Sequence, residues 1–103
     1  MSKLDHLRKH RAEIEALCRG HHVSRLALFG SVARGDAGDD SDYDFLVRFA
    51  PLPPGGYADA FFGLKEGLEA LLRAPVDLVV ESAIRNPYFK QAISQQQEFL
   101  YAA

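Results

Sequence analysis

The sequence predicts an α/β (α+β) domain in which a small mixed β-sheet carries flanking helices. Two segments, residues 3–19 and 57–73, repeat apolar side chains at helical spacing. Three short runs rich in Val, Leu and Phe, at 23–29, 43–49 and 76–80, are too brief for helices and read as strands. Gly, Pro and Asp dominate the connections between them. Alternating elements of this kind place helices against a sheet, and the pattern leaves strand direction open, which is why a mixed sheet is expected. A chain of 103 residues has room for one core, so residues 1–103 read as a single domain.

Each element has its own signal. Ser2 followed by Asp5 resembles a helix cap, and Leu4, Leu7, Ile14, Leu17 and Cys18 mark one face until Gly20. Val23 to Phe29 ends at Gly30, and a short helical turn is expected from Ser31 to Arg34. Gly35 to Ser41 is a loop by composition, and Tyr43 to Phe49 is a strand ended by the Pro- and Gly-rich Pro51–Gly56. Tyr57, Phe61, Leu64, Leu68, Leu71 and Leu72 line one face of the next helix. Pro75 opens the strand Val76–Val80. Asn86 and Pro87 suit the start of a last helix, with Phe89, Ala92 and Ile93 expected to face inward. Glu98 to Tyr101 closes the chain as an expected edge strand.

Composition narrows the function. With 48% hydrophobic and 25% charged residues the chain is of the folded, water-soluble type. No apolar run reaches membrane-spanning length, and the charged N-terminal stretch is unlike a signal peptide, so the expected location is the cytoplasm. The one cysteine, Cys18, excludes an internal disulfide and a multi-cysteine zinc site, and its spacing makes it a core position. Seven Lys/Arg face three acids in residues 1–34, against five and eleven in the remainder. A solvated helix face accounts for the basic third, and a pI near 6.0 speaks against direct nucleic-acid binding.

The chemistry lies in residues 30–47. Asp42 and Asp44, one residue apart at a strand start, point to the same face with Cα atoms about 6.5–7 Å apart. Two like charges so placed call for a hard divalent cation, and magnesium takes carboxylate oxygens while sharing its shell with substrate phosphates. Gly30 permits close approach of the backbone to a phosphate, and the Ser31 hydroxyl can add a hydrogen bond. Asp77, an acid among β-branched strand residues, is costly there unless paired or metal-bound. Side by side, the second and third strands would bring it next to Asp42 and Asp44, a three-carboxylate site suited to two metal ions. The alternative is a solvated loop plus one buried, hydrogen-bonded acid.

Other patterns fail or read as structure. Asp40, Asp42 and Asp44 match the start of an EF-hand loop, but Phe45 and Pro51 stand where its glycine and glutamate belong. Gly30 and Gly35 have P-loop spacing, yet Asp36 and Ala37 replace its Lys and Ser/Thr. His6, His10, His21 and His22 lack carboxylate or cysteine company and read as exposed polar positions. Tyr57, Phe61, Phe62, Tyr88, Phe89 and Phe99 follow element periodicity and read as core, with a partner surface as the alternative for some.

The pattern Gly30-Ser31, ten residues, Asp42-x-Asp44, with the later strand residue Asp77, resembles the minimal nucleotidyltransferases of the DNA polymerase β superfamily over nearly the whole chain. Ser31-Val32-Ala33-Arg34-Gly35 and Ser41 to Val47 are part of the match. The resemblance implies the nucleotidyltransferase fold, with ATP as substrate and two Mg2+ ions. It implies that Asp42 and Asp44 bind both metals, that Asp77 completes the catalytic metal's site and helps activate the acceptor hydroxyl, and that Gly30 and Ser31 hold the triphosphate. Arg34 either touches the leaving phosphates or pairs with Asp36 or another loop acid. Because no acceptor-binding domain is visible, a partner in trans is expected. The resemblance to MNT-type antitoxins implies transfer of AMP to a tyrosine of a HEPN ribonuclease toxin. Two other readings stand beside it: an antitoxin that neutralises by binding alone, and a transferase acting on a small-molecule hydroxyl.

Overall fold

The computed structural model describes residues 2–35, 42–95 and 97–103. Helices α1 (Lys3–Lys9) and α2 (Arg11–Gly20) lead into strand β1 (Val23–Phe29) and the short helix α3 (Gly30–Arg34). Strand β2 (Tyr43–Phe49), helix α4 (Gly56–Leu72) and strand β3 (Val76–Val80) follow, and a 3-10 turn (Glu81–Ala83) leads to helix α5 (Pro87–Gln95) and strand β4 (Glu98–Ala102). Among the described residues no helix is long and apolar enough to cross a membrane.

The strands form one sheet in the order β3-β2-β1-β4. β1 runs antiparallel to β2 and β4, whereas β2 and β3 are parallel. Parallel neighbours cannot be joined by a tight turn, and α4 is the crossover that returns the chain to the same end of the sheet. The mixed sheet with flanking helices is therefore the one expected, with β4 on one edge and β3 on the other.

Period-two alternation sorts the sheet's side chains. Leu26, Leu28, Tyr43, Phe45, Val47, Val76, Leu78 and Leu100 join Leu7, Ile14, Cys18, Leu64, Leu68 and Leu72 from α1, α2 and α4 in the main core. Burying each such leucine contributes about 1.5–3 kcal/mol. Cys18 is fully buried, as its spacing suggested, and desolvation pushes its thiol up to about 12. The opposite face carries a smaller cluster of Phe29 and Leu46 with Val79 and Ile84 packed against it.

Tyr43 decides which way β2 faces. Its ring is buried and stacks on Phe45, and its hydroxyl donates to the Lys3 carbonyl at 3.1 Å. Its backbone N–H donates to the Pro75 carbonyl at 3.1 Å, just ahead of β3. The start of β3 is held in turn by Glu69, whose carboxylate accepts from the Val76 N–H at 3.1 Å. With Tyr43 committed to the helix side, its neighbours Asp42 and Asp44 belong to the other face.

Three expectations need correction. Residues 3–19 are two helices, because the chain leaves helical geometry at His10 (φ −101°, ψ 17°) and the His10 N–H bonds back to the Leu7 carbonyl. The break coincides with the polar run Arg8-Lys9-His10-Arg11, where the apolar stripe lapses. Phe89 and Ala92 are exposed rather than inward-facing, and the Ile93 side chain lies outside the described residues. Of the aromatic residues expected in the core, Phe61 packs against it, but Tyr57, Phe62, Tyr88, Phe89 and Phe99 are exposed. A chain this small has too little helical cover for every periodic apolar side chain.

Replacing Tyr43→Phe keeps the ring and removes one hydrogen bond to Lys3. A loss of about 0.5–1.5 kcal/mol is expected, read as a lower urea midpoint with an unchanged m-value.

Candidate active site

The site begins where β1 ends. The chain turns at Gly30 with φ +76°, a left-handed conformation that L side chains rarely adopt, and enters α3. A Cβ at Gly30 would also collide with the Asp44 carboxylate. The glycine is thus required twice, by its dihedral and by the close approach of the turn to that carboxyl group. Ser31 follows half-buried, and Gly35 (φ +81°) ends α3, its N–H donating to the Val32 carbonyl at 3.2 Å.

Register brings the acids to this turn. Phe29 of β1 is opposite Asp44 of β2, and Asp44 is opposite Asp77 of β3. Neighbouring strands lie about 4.8 Å apart, so Asp44 and Asp77 are side by side on the face away from α1, α2 and α4. Asp42 stands one residue before β2 and is exposed, Asp77 is exposed, and Asp44 is half-buried. The Asp44 carboxyl is held above the usual carboxylate range, first by desolvation and then by the charges of Asp77 and Asp42, while Arg34 acts in the opposite sense. Asp44 therefore lies within the fields of both other acids.

Among the described residues no three His, Cys, Asp or Glu side chains are gathered tightly enough to hold an ion as they stand. The fit to a divalent cation rests instead on the donor set and on the cradle. Three hard carboxylates share one end of the sheet, Asp44 is disfavoured as an anion by the other two, and Gly30 leaves the Asp44 oxygens room that any side chain would fill. Asp42, Asp44 and Asp77 are the residues that could hold magnesium.

A cleft of about 360 Å3 opens beside them, lined by Phe29, Gly30, Ser31, Arg34, Asp44, Phe89 and Ala92. Its size falls within the range of small-molecule sites, about 300–1,000 Å3. Arg34 lies on this cleft and acts on Asp44, and Asp36, its other expected partner, is outside the described residues. A larger cavity of about 590 Å3 is bordered by Arg48, Glu81 and Lys90, with Arg48 and Glu81 paired to each other. It has a glycine turn of its own at Gly55 (φ +83°), but Glu81 is its one carboxylate among the described lining residues, so the gathering of acids at a glycine turn is a feature of the smaller cleft.

The histidines stay outside this site. His6 and His10 meet edge to face at 4.9 Å between ring centroids, and the His21 Nδ1 lies 2.8 Å from the Leu17 carbonyl oxygen. Only His22 is exposed, the other three being half-buried. Sequence reasoning missed three members of the cleft, Phe29, which it assigned to a strand core, and Phe89 and Ala92, which it assigned to an inner helix face. The position of Phe29 immediately before Gly30 was an available signal for the first.

A nucleotidyltransferase-domain family model matches residues 7–99. The chain is 42% identical over 91 residues to a Methanocaldococcus jannaschii protein named "Putative protein adenylyltransferase MJ0128", covering 88% of this chain and 87% of that one. It is 36% identical over 91 residues to Protein adenylyltransferase MntA of Thermococcus cleftensis, covering 81% and 89%. A solved structure described as a "putative minimal nucleotidyltransferase" superposes with a TM-score of 0.76 at 37% identity, over 98% of this chain and 96% of the other. A second, described as a toxin-antitoxin with AMP-PNP, gives a TM-score of 0.69 at 25% identity, over 90% and 73%.

Two outcomes follow from the geometry. Gly30→Ala should cost about 1–3 kcal/mol in urea unfolding, and the cost should shrink, without vanishing, in an Asp44→Ala background that removes the colliding carboxylate but not the dihedral strain. Because the folded state raises the Asp44 pKa, the stability its protonated form contributes is fully present below the unfolded pKa and is lost as pH rises through the folded value. Without divalent cations, Asp44→Asn should therefore raise the Tm at pH 7 relative to wild type, with the difference fading as pH falls through the carboxylate range.

Proposed function

The chain belongs to the nucleotidyltransferase domain family and is a nucleotidyltransferase, and from that premise we propose that it is an antitoxin that transfers AMP from ATP to a tyrosine hydroxyl of a HEPN-type toxin in the cytoplasm. The observation that carries the reading is the placement of Asp44 between the Gly30 turn and Asp77. Relatives bear the name protein adenylyltransferase, and a similar solved structure is a toxin-antitoxin with AMP-PNP.

Asp42, Asp44 and Asp77 would hold two Mg2+ ions, which supply positive charge against the phosphate oxygens when bound. Gly30 and Ser31 border the triphosphate, the glycine by leaving the backbone bare and the serine by its hydroxyl. Arg34, on the same cleft, offers its guanidinium to the departing phosphates. Asp77 sits exposed on the edge strand β3, where a partner's side chain can reach it. A carboxylate oxygen of Asp77 takes the proton of the incoming tyrosine hydroxyl. The tyrosine oxygen bonds to the α-phosphorus as the bond from that phosphorus to the pyrophosphate oxygen breaks.

Co-expression with the product of the adjacent open reading frame tests this. The partner should carry an adenylyl mass with wild type, reduced about 100-fold or more by Asp44→Asn with Asp77→Asn. An adenylyl mass that persists in the double variant would sink the assignment of these residues. Full neutralisation of the toxin by that variant without nucleotide would establish occlusion by binding, and turnover without any protein partner would point to a small-molecule acceptor.

A further inference from the structure

We infer that Phe89 is the stacking platform for the nucleobase, with α5 forming the outer wall of the nucleotide cleft. The inference rests on the nucleotidyltransferase reading above and assigns a residue to which core packing gives no role. Residues 87–92 of α5 are all exposed, so burial does not explain where Phe89 sits. Its ring meets Phe29 edge to face, with centroids 6.2 Å apart at 86°, and the residue remains 44% exposed. Its backbone is fixed at the first turn of α5, where the Asn86 Oδ1 accepts from the N–H groups of Tyr88 at 2.9 Å and Phe89 at 3.3 Å. An aromatic ring braced by another ring and by a helix cap, with surface left open on a cleft, is arranged to receive a flat partner.

The cleft itself is divided as a nucleotide is. Gly30, Ser31, Arg34 and Asp44 make a polar part suited to phosphates, and Phe29, Phe89 and Ala92 make an apolar part. Across the sheet the order is Phe29, Asp44, Asp77. Asp77 does not line this cleft, so the Phe29 side of Asp44 is left for the base and the β3 edge for the acceptor. A tyrosine ring of the acceptor is the other flat group that could meet Phe89, and the ligands chosen below separate the two.

The test measures affinity for MgATP and for magnesium tripolyphosphate, without any protein partner, in wild type, Phe89→Ala and Phe89→Trp. The chain contains no tryptophan, so Phe89→Trp introduces a single reporter at the proposed contact. Phe89→Ala should bind ATP about 5- to 150-fold more weakly, the range that base–aromatic stacking of about 1–3 kcal/mol converts to. Its affinity for tripolyphosphate should be unchanged. Phe89→Trp should retain ATP affinity and show fluorescence quenched by ATP but not by tripolyphosphate. Wild-type ATP affinity in Phe89→Ala, or an unquenched tryptophan in ATP-saturated Phe89→Trp, overturns the inference while leaving the enzyme reading intact. Equal weakening of both ligands also overturns it, since Phe89 would then serve only the fold. Failure of wild type to bind ATP at all is the separate result that removes the underlying reading.

Discussion

The arrangement depends on the register of β2. This strand is paired on both sides, antiparallel with β1 and parallel with β3, and its first residue is pinned by a buried ring and a hydrogen bond to α1. Side chains alternate along a strand, so a one-residue slip would bury Asp44 among leucines and expose Tyr43. The hydrophobic core therefore sets the direction of the acids. Burial of Tyr43, Phe45 and Val47 on one face is what leaves Asp44 on the other, opposite Asp77 and against the Gly30 turn.

That placement works against stability in the protein alone. A half-buried carboxylate beside two others is disfavoured in its charged form. Sites that bind charge commonly carry such local costs, offset by the rest of the fold. Here the offset comes from a core that draws on α1, α2, α4 and all four strands. Gly30 accepts no side chain because the Asp44 carboxylate lies against it and the turn holds φ +76°.

Most of the frame was legible in the sequence because strands and turns leave short-range signals. The runs at 23–29, 43–49 and 76–80 are the observed strands, and the pairing of Asp44 with Asp77 follows once β2 and β3 are neighbours. What the sequence did not disclose depends on tertiary cover. Apolar periodicity marks a face that could be buried, but it does not say whether another element arrives to bury it. Phe89 and Ala92 have the spacing of an inner helix face and stand exposed, and Tyr57 and Phe62 extend beyond what the sheet can cover. The break at His10 was hidden for a related reason, since Leu4, Leu7, Ile14 and Cys18 keep helical spacing across it. Arg34 was ambiguous because its partners depend on which way α3 points, and only the fold shows it beside Asp44.

The central physical claim is that neighbouring strands present Asp44 and Asp77 as joint ligands for a divalent ion next to a bound nucleotide. Titration with Mn2+, followed by electron paramagnetic resonance in the presence of a non-hydrolysable ATP analogue, addresses it without requiring turnover. Ion binding to the protein–nucleotide complex should be saturable in wild type and lost in both Asp44→Asn and Asp77→Asn, with each variant folded by circular dichroism. Undiminished binding in either variant would contradict the account.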